Sequence, residues 1–143
     1  MGKYDVLKLE NQICFPLYAL SREIIKLYKP YLDKFNLTYT QYIAMLVMWE
    51  EEKIVFKELG RKLHLDSGTL TPVLKKLESM GFIVKYRSKE DDRIVIVELT
   101  ENGRQLKDEA ITIPEKVFCE SKISGEDAIQ LKYYLDKILE GFI

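Results

Sequence analysis

The sequence predicts a mainly α-helical domain carrying one small β-hairpin. Three observations predict it. Apolar residues recur at helical spacing in six separate segments, the period changes only once, to β-branched and aromatic runs, and polar caps or turns fall at the joints. At 143 residues, 47% hydrophobic and 31% charged, the chain suits one domain, whose folding withdraws about 68–70% of its unfolded surface from water. Seven Gly and four Pro exclude a collagen-like or linker-rich chain. Two Cys and a single His make neither a disulfide scaffold nor a four-ligand zinc set, so no metal or cofactor is expected. Lys3, Asp5, Lys8 and Glu10 interrupt the place where a secretion signal would have its apolar core. The longest apolar run, Tyr42 to Trp49, falls far short of the roughly 20 residues that span a bilayer. A soluble, cytoplasmic protein without membrane contact is expected.

The first segment, about Leu9 to Phe35, places Ile13, Leu17, Leu20, Ile24, Leu27, Tyr28 and Tyr31 at helical spacing. Pro16 requires that this helix either kinks near Cys14 or begins there. Thr38 and Thr40 are candidate N-caps of a second helix through Trp49, apolar nearly all round and therefore central. A short third helix carries Phe56, Leu59 and Leu63. The turn His64-Leu65-Asp66 leads to a fourth ending at Gly81, with Leu70, Val73, Leu74 and Leu77 inward. Pro72 is free of cost there if Thr69 is the cap, and brings a mild kink if Asp66 is. The runs Phe82–Arg87 and Ile94–Leu99 flank the polar tip Ser88–Asp92 and read as a hairpin. Thr100 caps a fifth helix that Pro114 should interrupt. Ser124, three residues before Asp127, opens a sixth with the wide apolar surface of Ile129, Leu131, Leu135, Ile138, Leu139 and Phe142.

Charge is distributed unevenly. The overall value is −1, yet the stretch from Lys53 to Arg93 carries +4 and the rest −5. A basic middle between acidic ends points at a polyanion, although solvated charge is the ordinary explanation of such a bias. Two helices joined by a tight turn and followed by a hairpin have the layout of a winged helix-turn-helix, whose second helix enters the major groove of double-stranded DNA. With the fourth helix's leucines inward, Gly68, Pro72, Lys75 and Ser79 project opposite, flanked by Thr71 and Lys76, and Ser67 and Thr69 lie at the leading end. That face is small, hydroxylated and basic, suited to phosphate contact. On the hairpin, Arg87, Lys89, Asp91 and Arg93 are the candidates, an Arg entering a minor groove while an Asp orients its guanidinium. The ordinary alternatives are a solvated helix face and a solvated turn.

Asp91-x-Arg93 followed by Leu99-Thr100 resembles the wing signature D-x-R-x5-L-T of the MarR family of bacterial repressors. The blocks LENQICFPLYALSRE (9–23), LTYTQYIAMLVMWE (37–50) and LDSGTLTPVLKKLE (65–78) resemble the organic-hydroperoxide-sensing OhrR branch, and the likeness spans nearly the whole chain. It implies one winged-helix domain over 1–143, with dimerisation helices at about 9–35 and 100–143 and the DNA-binding part at about 53–99. It also implies a homodimer with intertwined terminal helices, reading an inverted-repeat operator.

Cys14 and Tyr18 stand one helical turn apart, so a phenol can hydrogen-bond a thiolate or sulfenate. A lone helical Cys is otherwise an inert small hydrophobe. The resemblance implies that Cys14 is the sensing cysteine, oxidised by organic hydroperoxide, and that Tyr28 and Tyr39 reach that sulfur across the dimer. Cys119 falls where the two-cysteine OhrR subgroup keeps a resolving cysteine for the other subunit. In the one-cysteine subgroup a small thiol caps the sulfur instead, and Cys119 would then be a packing residue. His64 reads as a surface or capping residue. Two other functions compete with a redox-responsive repressor. One is a repressor released by a small phenolic or hydrophobic ligand in a pocket lined by residues such as Tyr18, Tyr28 and Trp49. The other is a thiol peroxidase using Cys14 and Cys119, to which a basic helix and wing would be superfluous.

Overall fold

The computed structural model describes residues 2–142, so the expected domain limits at 1 and 143 lie just outside the described residues. Two 3-10 turns, Asp5–Leu7 and Leu9–Asn11, come first. Their own side chains hold them, Asn11 Nδ2 donating to the Asp5 carbonyl (2.7 Å) and Gln12 Nε2 to those of Val6 and Lys8 (2.8 Å each). Helix α1 (Cys14–Leu32) begins at Cys14 and not at Leu9. Pro16 thereby occupies the first turn, where a missing N–H goes unnoticed.

Thr38 caps α2 (Tyr39–Glu51) in a reciprocal box: its Oγ1 accepts from Gln41 N (3.3 Å) and its N–H donates to Gln41 Oε1 (3.0 Å). As the all-round apolar pattern requires, α2 is central, burying Tyr42, Ala44, Met45, Met48 and Trp49. A three-residue strand absent from the sequence reading, β1 (Lys53–Val55), leads into α3 (Phe56–Leu63). Helix α4 (Ser67–Ser79) is capped by Asp66, whose Oδ1 accepts from Thr69 N at 2.8 Å, so Asp66 and not Thr69 is the cap. The helix runs unbroken through Pro72. Leu70, Leu74 and Leu77 are fully buried, each worth about 1.5–3 kcal/mol relative to exposure.

Strands β2 (Ile83–Arg87) and β3 (Val95–Leu99) form the hairpin, and β1 adds to it antiparallel in the order β1-β3-β2. The register pairs Ile54 with Val97 and Lys85 with Val97 from the other side. Thr100 caps α5 (Glu101–Ala110) and ties it to the turn before β2, its Oγ1 donating to the Gly81 carbonyl (2.5 Å) and accepting from Gly103 N (3.1 Å). Gly103 packs so closely that an added Cβ would stand 2.2 Å from the Phe82 carbonyl oxygen. The end of the chain differs from expectation. Helix α5 stops at Ala110, and Pro114 opens a separate α6 (Ile113–Ser121) before α7 (Gly125–Leu139), making three helices where two were expected. The cause is local: Pro114 has no N–H to give the Ala110 carbonyl four residues back, yet suits the first turn of a new helix.

One core joins α2, α4, the sheet, α5 and α6. The faces of α7 and of the start of α1 stand apart from it. No residue of α7 is buried, and Ile13 and Ile129 are 82% and 74% exposed. No helix among the described residues is long and apolar enough to cross a membrane.

Candidate functional site

The packing of α4 decides which of its residues can meet a partner. With its leucines inward, Ser67, Gly68, Thr69, Thr71, Pro72, Lys75, Lys76 and Ser79 are all exposed, as the wheel requires. Two of the hydroxyls are engaged internally, Thr71 donating to the Ser67 carbonyl and Ser79 to that of Lys76 (2.7 Å each). Their oxygens keep lone pairs outward, while the lysines carry the positive charge.

The hairpin tip is a fixed structure. Asp91 accepts from Arg93 at the backbone N (3.0 Å), Nε (3.0 Å) and Nη2 (3.1 Å), so the carboxylate holds the guanidinium in a fork. Arg93's side chain hydrogen bonds, then its backbone N–H, hold the Asp91 carboxyl below the usual range. The Arg93 side chain is nonetheless 90% exposed. Arg87 has a bracing part, donating from Nη1 to the Asp92 carbonyl (2.7 Å), and Lys89 is exposed at the tip. Ser67 of α4 and Asp91 and Arg93 of the hairpin line one cleft of about 500 Å³, with Lys57 of α3 beside them. Lys57 was not singled out from the sequence. Its place beside the hairpin depends on β1 pairing with β3, a contact between residues some forty positions apart. His64 is exposed in the left-handed region (φ 55°), ending α3.

Cys14 and Cys119 are both free and exposed. Cys14 takes the first position of α1, at the helix end whose free N–H groups face an anion favourably. Tyr18 does not hydrogen-bond it among the described residues. Its ring instead lies under the Arg22 guanidinium, 5.4 Å from the centroid. Tyr28 and Tyr39 form an edge-on pair at 5.0 Å, with Tyr42 5.4 Å from Tyr28. Burial raises all three phenols above their ordinary range, helped at Tyr28 by Tyr39 and at Tyr42 by both neighbours. None of the three hydroxyls has a hydrogen-bond partner among the described residues, so each can donate to an incoming group. Tyr28 lies fourteen residues along α1 from Cys14, about 21 Å at 1.5 Å per residue. Cys14 therefore does not reach these tyrosines within one chain.

Cys119 is on α6 beside Glu120, which accepts a hydrogen bond from the Tyr31 hydroxyl. Tyr31 is about 25 Å along α1 from Cys14. A disulfide needs Cα atoms within about 7 Å, so the two cysteines do not meet within one chain either. The pocket expected for a small ligand is also dispersed. A cleft of about 430 Å³ is lined by Tyr42, Leu46, Trp49, Lys107 and Pro114 among others, but neither Tyr18 nor Tyr28 lines it.

The family model of the transcriptional regulators SarA/Rot matches residues 26–110. The organic hydroperoxide resistance transcriptional regulator of Bacillus subtilis (strain 168) is 54% identical over 139 residues, spanning 97% of this chain and 95% of that protein. Reduced AbfR of Staphylococcus epidermidis, solved bound to DNA, superposes with a TM-score of 0.78 at 35% identity, covering 99% of both chains. Disulfide-formed AbfR superposes with a TM-score of only 0.62 at 34% identity, over 98% of this chain and 93% of that one.

Proposed function

The chain belongs to the SarA/Rot-type transcriptional regulators of the MarR family, and from that premise we propose that it is a DNA-binding repressor that senses organic hydroperoxides through Cys14 and then releases its operator. It is a regulator and not an enzyme, so each Cys14 reacts once per event. One observation carries the redox half. Cys14 is an exposed sulfur without its tyrosines, and Tyr28 and Tyr39 are unpartnered hydroxyls without a sulfur, about 21 Å away along α1. A two-fold dimer satisfies both at once, each chain lending its tyrosines to the other's sulfur. The uncovered apolar faces at the start of α1 and along α7 supply the surface for that dimer. The division into dimerisation helices at about 9–35 and 100–143 and a DNA-binding part at about 53–99 follows.

Two-fold symmetry places two copies of α4 against an inverted repeat in double-stranded DNA, with half-sites about 34–36 Å apart. Lys75 and Lys76 serve phosphates, while the start of α4 and the Asp91-held Arg93 approach the grooves. Oxidation converts the Cys14 thiolate to sulfenic acid. Cys119 of the other subunit then resolves it, with capping by a small thiol as the alternative fate. The closer likeness to reduced, DNA-bound AbfR than to its disulfide form supports a conformation ready for DNA. These events belong in the cytoplasm, where the operator is.

The test is operator binding before and after stoichiometric cumene hydroperoxide, on an operator selected by the protein from random duplexes. Wild type should release, and Cys14→Ser should bind equally well and stay bound. Peroxide-induced release by Cys14→Ser refutes the sensor assignment. Non-reducing electrophoresis separates the fates, a covalent dimer marking Cys119 as the resolver and a mass increase on Cys14 marking a capping thiol.

A further inference from the structure

We propose that Tyr31 and Glu120 are positioning residues that latch the helix carrying Cys119 in its reduced position, so that opening this latch limits the rate of disulfide formation. The inference rests on the reading of Cys119 as the resolver. Helix α6 has nine residues and a joint at each end: Ile111-Thr112 separates it from α5, and Lys122, in the left-handed region (φ 59°), separates it from α7. Two buried side chains, Ile113 and Val117, seat it in the core. Its other grip is on Tyr31 of α1. The phenol donates to Glu120 Oε1, and Lys116 Nζ, one turn earlier on α6, stands 5.7 Å from the ring centroid. The carboxylate hydrogen bond is the main reason the Tyr31 phenol is held above its ordinary range, with desolvation and the charge of Glu120 adding to it.

The latch sits between the parts it would govern. Tyr31 is one helical turn beyond Tyr28, whose free hydroxyl is proposed to hold the sulfur of the other subunit, and Glu120 is next in sequence to Cys119. In the first step the Cys14 thiolate attacks the terminal hydroperoxide oxygen. An S–O bond forms, the O–O bond breaks, the alcohol leaves with a proton, and the sulfur loses two electrons to become sulfenic acid. In the second step the Cys119 thiolate of the other subunit attacks that sulfur, the S–S bond forms, the S–O bond breaks, and hydroxide departs as water. The second step needs the two Cα atoms within about 7 Å. Cys119 cannot travel without Glu120, so the Tyr31 hydrogen bond must open first. A shut latch keeps the sulfenic acid alive long enough for a reducing thiol to reverse it.

The experiment follows both steps in the full-length protein after stoichiometric cumene hydroperoxide. Sulfenic acid formation is read by dimedone labelling and mass spectrometry in a Cys119→Ser background. Disulfide formation is read by acid quench and non-reducing electrophoresis with both cysteines present. Tyr31→Phe keeps the ring under Lys116 and should form the covalent dimer about three- to tenfold faster, because solvent screening at the surface reduces this charged hydrogen bond to the worth of an ordinary one. Glu120→Gln keeps an acceptor without the charge and should fall between. Neither should change the first step, and the melting temperature should fall by no more than the few degrees that one such bond is worth. A wild type that forms no covalent dimer overturns the resolver reading, and the latch with it. A wild type that forms the dimer while both variants do so no faster overturns the latch alone, as does equal acceleration of both steps.

Discussion

Lys75 and Lys76 allow the assignment of the DNA face to be tested quantitatively without knowing the operator. Both are exposed on α4, opposite the buried Leu70, Leu74 and Leu77. A lysine that neutralises one phosphate adds about 0.9 to the slope of log affinity against log salt. A two-fold dimer uses each lysine twice, so Lys75→Ala should reduce the slope by about 1.8. Between 50 and 200 mM KCl, a fourfold range, one phosphate contact accounts for about 3.5-fold in affinity and two for about twelvefold. The variant's deficit at 50 mM should therefore shrink about twelvefold by 200 mM, and Lys76→Ala should behave alike. Fluorescence anisotropy on a 30-base-pair random duplex and on a selected operator measures both slopes, and the changes should match on the two DNAs. An unchanged slope for both variants refutes the assignment of this surface. A change on the operator alone means that these lysines read bases instead of phosphates.

Two further outcomes follow from the same geometry. Arg93→Ala should weaken binding to the selected operator several-fold more than to random duplex, because groove width varies with sequence; equal losses on both would place Arg93 on a phosphate. Tyr42 is pushed up to about 12 by burial and by Tyr28 and Tyr39, against an ordinary value near 10 in the unfolded chain. Its contribution to stability is complete below pH 10 and is lost as pH rises towards 12, because only the unfolded chain ionises freely in that window. The urea midpoint should fall between pH 9.5 and 11.5 for the wild type and fall less for Tyr42→Phe; parallel declines would show that Tyr42 ionises as easily folded as unfolded.

Local signals in the sequence are decisive where the structure depends on near neighbours in the chain. Thr38 with Gln41, Thr100 with Gly103 and Ser124 with Asp127 all bring a cap and its N–H within three residues, so composition and spacing reveal them. The inward and outward faces of α4 follow from its leucine spacing. Misses fall where distant pairing decides. Strand β1 has three residues, too few for a period, and exists because Ile54 meets Val97. Lys57 is brought to the hairpin by that same pairing. Pro114 reads as a stop, and the structure uses it as a start as well. Tyr18 shows the limit of helical spacing as a contact rule: one turn from Cys14 it has a second neighbour one turn ahead, Arg22, whose cation its ring face attracts.

How a bond at the α1–α6 boundary reaches the DNA face depends on what is rigid. The start of α5 is fixed to the turn before β2 by Thr100 and by the close contact of Gly103 with Phe82, and to α2 by Trp49 Nε1 donating to the Gly103 carbonyl (2.8 Å). Arg104, held within α5 by Glu101 (2.6 Å), adds a contact to Glu52 (2.5 Å) at the end of α2. The leucines of α4 share one core with these elements. Helix α4, the hairpin and α5 are therefore held as one body by core and hydrogen bonds together, and on the proposed mechanism the places that yield are the two joints of α6. A disulfide between subunits would pull on α6 without melting α4 or reshaping the wing. What it can alter is the placement of one such body against the other, because each subunit's α6 becomes tied to the other's α1. Two intact recognition surfaces a few ångströms out of register with half-sites one helical turn apart lose the contacts that depend on both being seated together. On the proposed mechanism, release thus comes from the spacing of two unchanged surfaces, and the stiffness of the α4–sheet–α5 body is what makes a small movement at α6 sufficient.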